Sequence, residues 1–139
     1  MNLKPLLGAA CAMICVACSN HKPTVPSFIT ENVEFAKAQL GLAIDTIEAS
    51  GKCLNPVTLN RDGSVYYCGY ADWRSGFFPG SIWYLYELTG DTSYLPLARK
   101  YTEAIRPAEH LPCHHDIGFI INCRFGNGLR LAPETAAYK

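Results

Sequence analysis

Two short segments concentrate the side chains able to do chemistry. Asp72-Trp73-Arg74-Ser75-Gly76-Phe77-Phe78-Pro79-Gly80 puts an acid, an indole and a base in a turn bounded by glycine. Cys113-His114-His115-Asp116-Ile117-Gly118-Phe119 sets two imidazoles beside a carboxylate, and Asp116 falls where a helix would begin, a location that favours the ionised form. Each residue also has a plain reading: Asp116 as an ordinary N-cap, Trp73 as a core aromatic. His110, Cys113, His114, His115 and Cys123 all lie within fourteen residues, which raises zinc. Their spacing matches no finger or knuckle pattern, so no metal ligand is assigned and a zinc-stabilised helical module stands as a competing reading. The chain contains no Gly-x-Gly-x-x-Gly, Walker loop, Gly-x-Ser-x-Gly or His-Glu-x-x-His. Nucleotide cofactors and the motif-bearing hydrolases are disfavoured, and no cofactor is expected.

The elements that must carry these segments read as helices. Val33, Ala36, Leu40, Ile44 and Ile47 recur every three or four residues, so the spacing predicts an amphipathic helix capped at Thr30 or Asn32 and running to about Ser50. Gly51 to Ala71, with Asn55-Pro56 and Arg61-Asp62-Gly63, reads as a long loop. A second helix over Phe77 to Thr89 is apolar on nearly every side and should be buried. Gly90 stops it, and Asp91, Thr92 and Ser93 offer caps for a third helix with Pro96 near its first turn. Leu97, Tyr101, Ala104 and Ile105 give that helix one apolar stripe. A fourth, apolar on most sides, is expected around Ile117, Ile120 and Ile121 and to end at Gly126-Asn127-Gly128. Ala132-Pro133-Glu134-Thr135 resembles the capped start of a fifth. The alternation inner, outer, inner is what helical hairpins arranged in a ring would produce, and both chemical segments then open onto one cavity.

Composition narrows the class further. The chain has 139 residues, 49% of them hydrophobic, and its 12 Lys and Arg balance 12 Asp and Glu. No basic excess is available to drive binding to nucleic acid. Lys4 precedes the uncharged stretch Leu6 to Ala17, which reads as an export signal too short to span a bilayer. Cys18, between Ala17 and Ser19, resembles the lipidated cysteine of a bacterial lipoprotein, although Cys15 stands at −3 where that box usually has Leu. Simple secretion and a buried first helix are the alternatives. The organisation expected is therefore a signal over 1–18 with Cys18 as lipidation site, a tether over 19–31, and a helical domain over 32–139, in a protein exported to the periplasm or the outer membrane. Cys53, Cys68, Cys113 and Cys123 remain in the mature part. Four cysteines allow three pairings, and the sequence does not choose among those or free thiols.

Taken together, Asp72-Trp73-x-Ser75-Gly76-Phe77-Phe78-Pro79-Gly80-x-x-Trp83, Tyr86-Glu87-x-Thr89-Gly90-Asp91 and His114-His115-Asp116-x-Gly118-Phe119 closely resemble the N-terminal third of glycoside hydrolase family 88, the unsaturated glucuronyl hydrolases. The resemblance covers about Asn32 to Lys139. It implies an all-α fold, here the first third of an (α/α)6 barrel. It also implies a substrate: an oligosaccharide left by a polysaccharide lyase, with a C4=C5 unsaturated uronic acid at its non-reducing end. That double bond is an enol ether. In the family's scheme a carboxylic acid protonates C4, water adds at C5, and the hemiketal collapses to release a keto acid, so the carboxylate-separation rule for ordinary glycosidases does not apply.

Carried over by position, Asp116 matches the family's essential aspartate, His115 a substrate-contacting histidine, and Trp73 an active-site tryptophan. Arg74 is not demanded by the family motif. The family's proton donor lies in a later hairpin, and twelve helices of about 15 residues together with their loops need well over ~300 residues. The sequence reading is accordingly an incomplete ring, inactive alone, that exposes apolar sides of Ile82, Leu85, Ile120 and Ile121. A sugar-binding lipoprotein without turnover is the alternative, with Trp73 and His115 as its platform.

Overall fold

A computed structural model describes residues 24–112, 115–135 and 138. The elements are α1 (Ser27–Ala49), β1 (Asn55–Leu59), β2 (Val65–Cys68), α2 (Phe77–Thr89), α3 (Tyr94–Ala104), a 3-10 turn (Arg106–His110), α4 (Ile117–Ile121), a π-helical turn (Asn122–Gly126) and α5 (Asn127–Leu131). The chain is mostly helical, as the periodicity requires, with one difference in kind. The segment expected as a loop contains an antiparallel hairpin, β1 against β2, with Leu59 opposite Val65 and Asn55 opposite Cys68. The turn signals at 60–63 are its tip: the Gly63 N–H donates to Asn60 O at 3.0 Å and Gly63 takes φ 84°. Residues on either side then pair, Thr58 with Tyr66 and Pro56 with Tyr67, while Val57 bulges between them.

Helix α1 begins at Ser27, before the expected caps, so residues 27–31 of the expected tether are helical. Only Ile44 and Ile47 of this helix are buried. Its end is held by Glu48, which accepts from Lys100 Nζ at 2.5 and 2.7 Å and from the Tyr101 hydroxyl at 2.7 Å. These bonds hold the Glu48 carboxyl below its ordinary pKa.

Helix α2 is the central element and keeps its expected bounds, ending at Gly90 in the left-handed conformation. It packs against α1, α3, the π-helical turn and α5. Phe78, Ile82 and Trp83 join Tyr101, Phe125 and Tyr138 in the core. The fully buried Trp83 donates from Nε1 to Thr102 Oγ1 at 3.0 Å, which satisfies a polar group that burial would otherwise penalise. Burial is one-sided all the same: Phe77, Tyr84 and Leu88 face solvent. The expected exposure of Ile82, Leu85 and Ile120 is corrected, since all three are at most 2% exposed. They pack within this chain's own core, and the exposed apolar residues instead include Phe28, Phe35 and Leu42 of α1 with Phe119 and Leu129.

The fourth helix does not end at Gly126-Asn127-Gly128. It widens into the π-helical turn and resumes as α5, and the Asn127 side-chain amide donates to the Cys123 carbonyl at 2.9 Å, satisfying a group that the wider turn frees. The glycines act as spacers for packing. A Cβ at Gly128 would lie 2.7 Å from the Tyr138 ring, and one at Gly80 2.8 Å from the Cys123 carbonyl oxygen. Beyond α5 the chain turns, with the Thr135 N–H donating to Ala132 O at 3.0 Å. Among the buried polar residues Arg124, in the π-helical turn, carries a charge and is fully buried. Its Nη1 lies 3.5 Å from Thr102 O and its guanidinium carbon 4.0 Å from the Phe125 ring centroid, while Nε and Nη2 have no hydrogen-bond partner among the described residues. Burial pushes its pKa down to about 10.

Candidate functional site

The turn before α2 is built by its own polar groups. The Asp72 carboxylate accepts from the Arg74 N–H at 2.9 Å, from Arg74 Nε at 2.9 Å and from Arg74 Nη2 at 2.7 Å, a two-pronged ion pair closed over Trp73. These bonds raise the Arg74 pKa above its ordinary value, against the opposing effect of burial. The buried Ser75 ties the turn to the hairpin side by donating to Tyr70 O at 3.0 Å. Trp73 is thereby presented to solvent, 42% exposed, and is not a core residue.

The turn before α4 lies against it. Gly76 is the point of approach, since a Cβ there would fall 2.5 Å from Phe119 O and 2.8 Å from Ile120 Cα. Only a residue without a side chain lets the two helix starts meet this closely. Across the contact the rings of Trp73, Phe77 and Phe119 form a cluster: Trp73 to Phe77 at 5.7 Å, Trp73 to Phe119 at 6.1 Å and Phe77 to Phe119 at 5.9 Å between centroids. All three are partly exposed. Phe119 also donates its N–H to Asp116 O at 2.9 Å. Phe119 therefore links the two turns, its ring against Trp73 and its N–H to the Asp116 carbonyl.

Asp116 occupies the position before α4, yet its side chain makes no capping hydrogen bond. Its Oδ2 lies 3.1 Å from His115 Nε2, with the Asp116 side chain largely covered and that of His115 91% exposed. The structure thus brings Trp73, His115 and Asp116 to neighbouring turns. Among the described residues, cavities that these three do not line lie elsewhere. One of about 530 Å³ lies between α1 and the hairpin, lined by Leu42, Thr46, Val57, Leu59, Val65 and Tyr67 among others. Another, of about 340 Å³, is lined by Phe28, Ile29, Val33 and Leu88 among others. At the two turns the partly exposed Trp73, Phe77 and Phe119 rings form a surface ledge.

Cys18, Cys113 and His114 lie outside the described residues. Cys53, Cys68 and Cys123 are free thiols. Among the described residues no group of three or more His, Cys, Asp or Glu is placed to hold a metal, and no helix is long and apolar enough to cross a membrane. Sequence reasoning named Asp72 as the acid of its turn without giving it a role, and did not single out Phe77 or Phe119 as parts of the site. The signal available was positional, because all three sit inside the same two motifs.

No family model matches the chain. Two curated relatives do, both unsaturated glucuronyl hydrolases: that of Formosa agariphila is 43% identical over 68 residues, 49% of this chain, and that of Bacillus sp. strain GL1 is 38% identical over 65 residues, 42% of this chain. The chain spans 17% of the length of each. A crystal structure of an unsaturated glucuronyl hydrolase specific for heparin superposes with a TM-score of 0.70 and 32% identity, covering 81% of this chain and 29% of that one.

Proposed function

We propose that this chain forms the part of an unsaturated glucuronyl hydrolase that receives the unsaturated uronic acid, within the opening hairpins of an (α/α)6 barrel. The observation that carries this reading is the close approach of the two helix starts at Gly76, which sets the Trp73–Phe77–Phe119 cluster beside the His115–Asp116 pair. An exposed indole offers a flat face to a sugar ring. An adjoining carboxylate in contact with an imidazole can orient and polarise a reacting centre without leaving the ionised form. The chemistry that suits such a site is hydration of the C4=C5 enol ether: a proton reaches C4, water adds to C5, and the resulting hemiketal opens to expel the next sugar. In that scheme Trp73 fixes the ring, His115 contacts its hydroxyls, and Asp116 polarises the centre at which water adds. The reading includes export and a lipid anchor at Cys18, which would place the site where lyase products arrive.

Calorimetric titration with a lyase-derived unsaturated disaccharide tests this. The whole chain should bind it, Trp73→Ala should weaken binding by roughly tenfold, the scale of a lost aromatic contact, and Asp116→Asn should weaken or redirect it. Loss of the unsaturated-uronate absorbance is the matching readout of turnover. Absence of binding, or binding indifferent to both substitutions, would overturn the proposal. A sugar-binding platform without turnover is the second reading, favoured by the solvent exposure of the aromatic cluster. Binding without loss of absorbance would select it.

A further inference from the structure

The ledge does not end at Trp73. Strand β2 sends Val65 and Tyr67 into the cavity against α1, and by strand alternation Tyr66 points the other way. There the Arg74 guanidinium lies 5.7 Å from the Tyr66 ring centroid and 5.9 Å from that of Trp73. The contacts run in series: Tyr66, Arg74, Trp73, Phe119 and then the Asp116 backbone. Tyr66 is 42% exposed and the Arg74 side chain 31%. Asp72 engages Nε and Nη2 of Arg74 and so fixes the plane of the guanidinium, while no hydrogen bond from Nη1 is found among the described residues.

Resting on the proposed function, the geometry points to Arg74 and Tyr66 as a second sugar subsite, one that reads an anionic substituent, sulfate or carboxylate, on the sugar adjoining the unsaturated uronate. Three features support this placement. The reacting ring is assigned to the Trp73–Asp116 side, whereas Arg74 contacts Trp73 and the hairpin's Tyr66. A guanidinium flanked by two aromatic rings combines stacking with a directed donor edge, the pairing that suits an anionic sugar. The plane of that donor is set in advance by Asp72, so little side-chain freedom remains to be lost on binding. The residues that hold the subsite come from the hairpin as well as from the turn, which gives the β1–β2 excursion in a helical chain a role in recognition.

Calorimetry on the whole chain with three unsaturated disaccharides tests the inference: one whose second sugar is neutral, one whose second sugar is sulfated, and one whose second sugar bears a carboxylate. Arg74→Gln also loosens the Asp72–Arg74 pair that presents Trp73, so the neutral ligand measures that cost, and affinity for the two charged ligands should fall roughly tenfold further, as expected for a lost charge-assisted hydrogen bond. Preference between the two charged ligands shows which anion is read. Tyr66→Ala should weaken all three modestly. A uniform loss on Arg74→Gln would overturn the inference, and so would no loss at all. If wild-type protein binds none of the three, or Trp73→Ala changes nothing, the site proposal fails first and the subsite with it. Far-ultraviolet circular dichroism of each variant excludes unfolding as the cause.

Discussion

Arg124→Met should make this protein more stable. The guanidinium is fully buried, two of its three nitrogens lack partners among the described residues, and its remaining contact to Thr102 O is long at 3.5 Å. The fall of its pKa from the ordinary arginine value to about 10 corresponds to a penalty of roughly 3 kcal/mol for keeping the charge inside. Methionine has similar length and no polar head. Against the relief stand the loss of the cation over the Phe125 ring, about 1–2 kcal/mol at a desolvated site, and of one weak hydrogen bond, about 0.5 kcal/mol. The net gain expected is about 1 kcal/mol, read as a higher midpoint in urea at pH 7. The gain should also depend on pH. Because the folded pKa lies below the unfolded one, unfolding takes up protons above about pH 10, so wild-type stability recovers relative to the variant as pH rises beyond that value. Below pH 10 both states are charged and the full penalty applies. A midpoint lowered by the equivalent of more than about 1 kcal/mol, or a difference that does not shrink between pH 9 and pH 10.5, would refute the reasoning and mean that the guanidinium has a partner in the folded protein.

Other substitutions probe separate parts of the architecture. Gly76→Ala forces a Cβ against the Phe119 and Ile120 backbone and should destabilise by about 2–3 kcal/mol or prevent folding, whereas Gly41→Ala, with nothing within 4 Å in the middle of α1, should stabilise by about 0.5–1 kcal/mol in the same denaturation assay. Thr102→Val removes the acceptor of the buried Trp83 Nε1–H and should cost about 1–3 kcal/mol. Glu48→Gln should flatten the acid limb of the stability–pH curve. The Glu48 carboxyl is held below its ordinary 4.5 by Lys100 and Tyr101, so its contribution is present above that value and is lost as pH falls through the lower folded one.

The helical frame was legible because its signals are local and redundant. Apolar spacing in α2 and α3, Gly90 as a stop and Pro96 in a first turn all agree with one another, and the structure keeps the bounds of α2. The hairpin was not legible for the opposite reason. Its strands are five and four residues long, and the turn residues between and around them read as loop when pairing partners are unseen. Gly128 carried the wrong message, since a glycine that ends a helix and one that admits a neighbouring ring look alike in sequence, and only the position of Tyr138 separates them. At the site, the two motifs located Trp73, His115 and Asp116 on neighbouring turns. What they did not convey is the device that joins the turns: Gly76 against Phe119, and the Asp72–Arg74 pair that turns the indole outward.

The central claim is that both turns meet one sugar, and a heteronuclear NMR titration of the whole chain with an unsaturated uronate disaccharide tests it most directly. The account predicts that the Trp73 indole N–H and the backbone amides of His115, Asp116 and Phe119 shift together along a single binding curve, while the buried Trp83 indole N–H stays put. Shifts confined to one turn, or two curves with different midpoints, would contradict it.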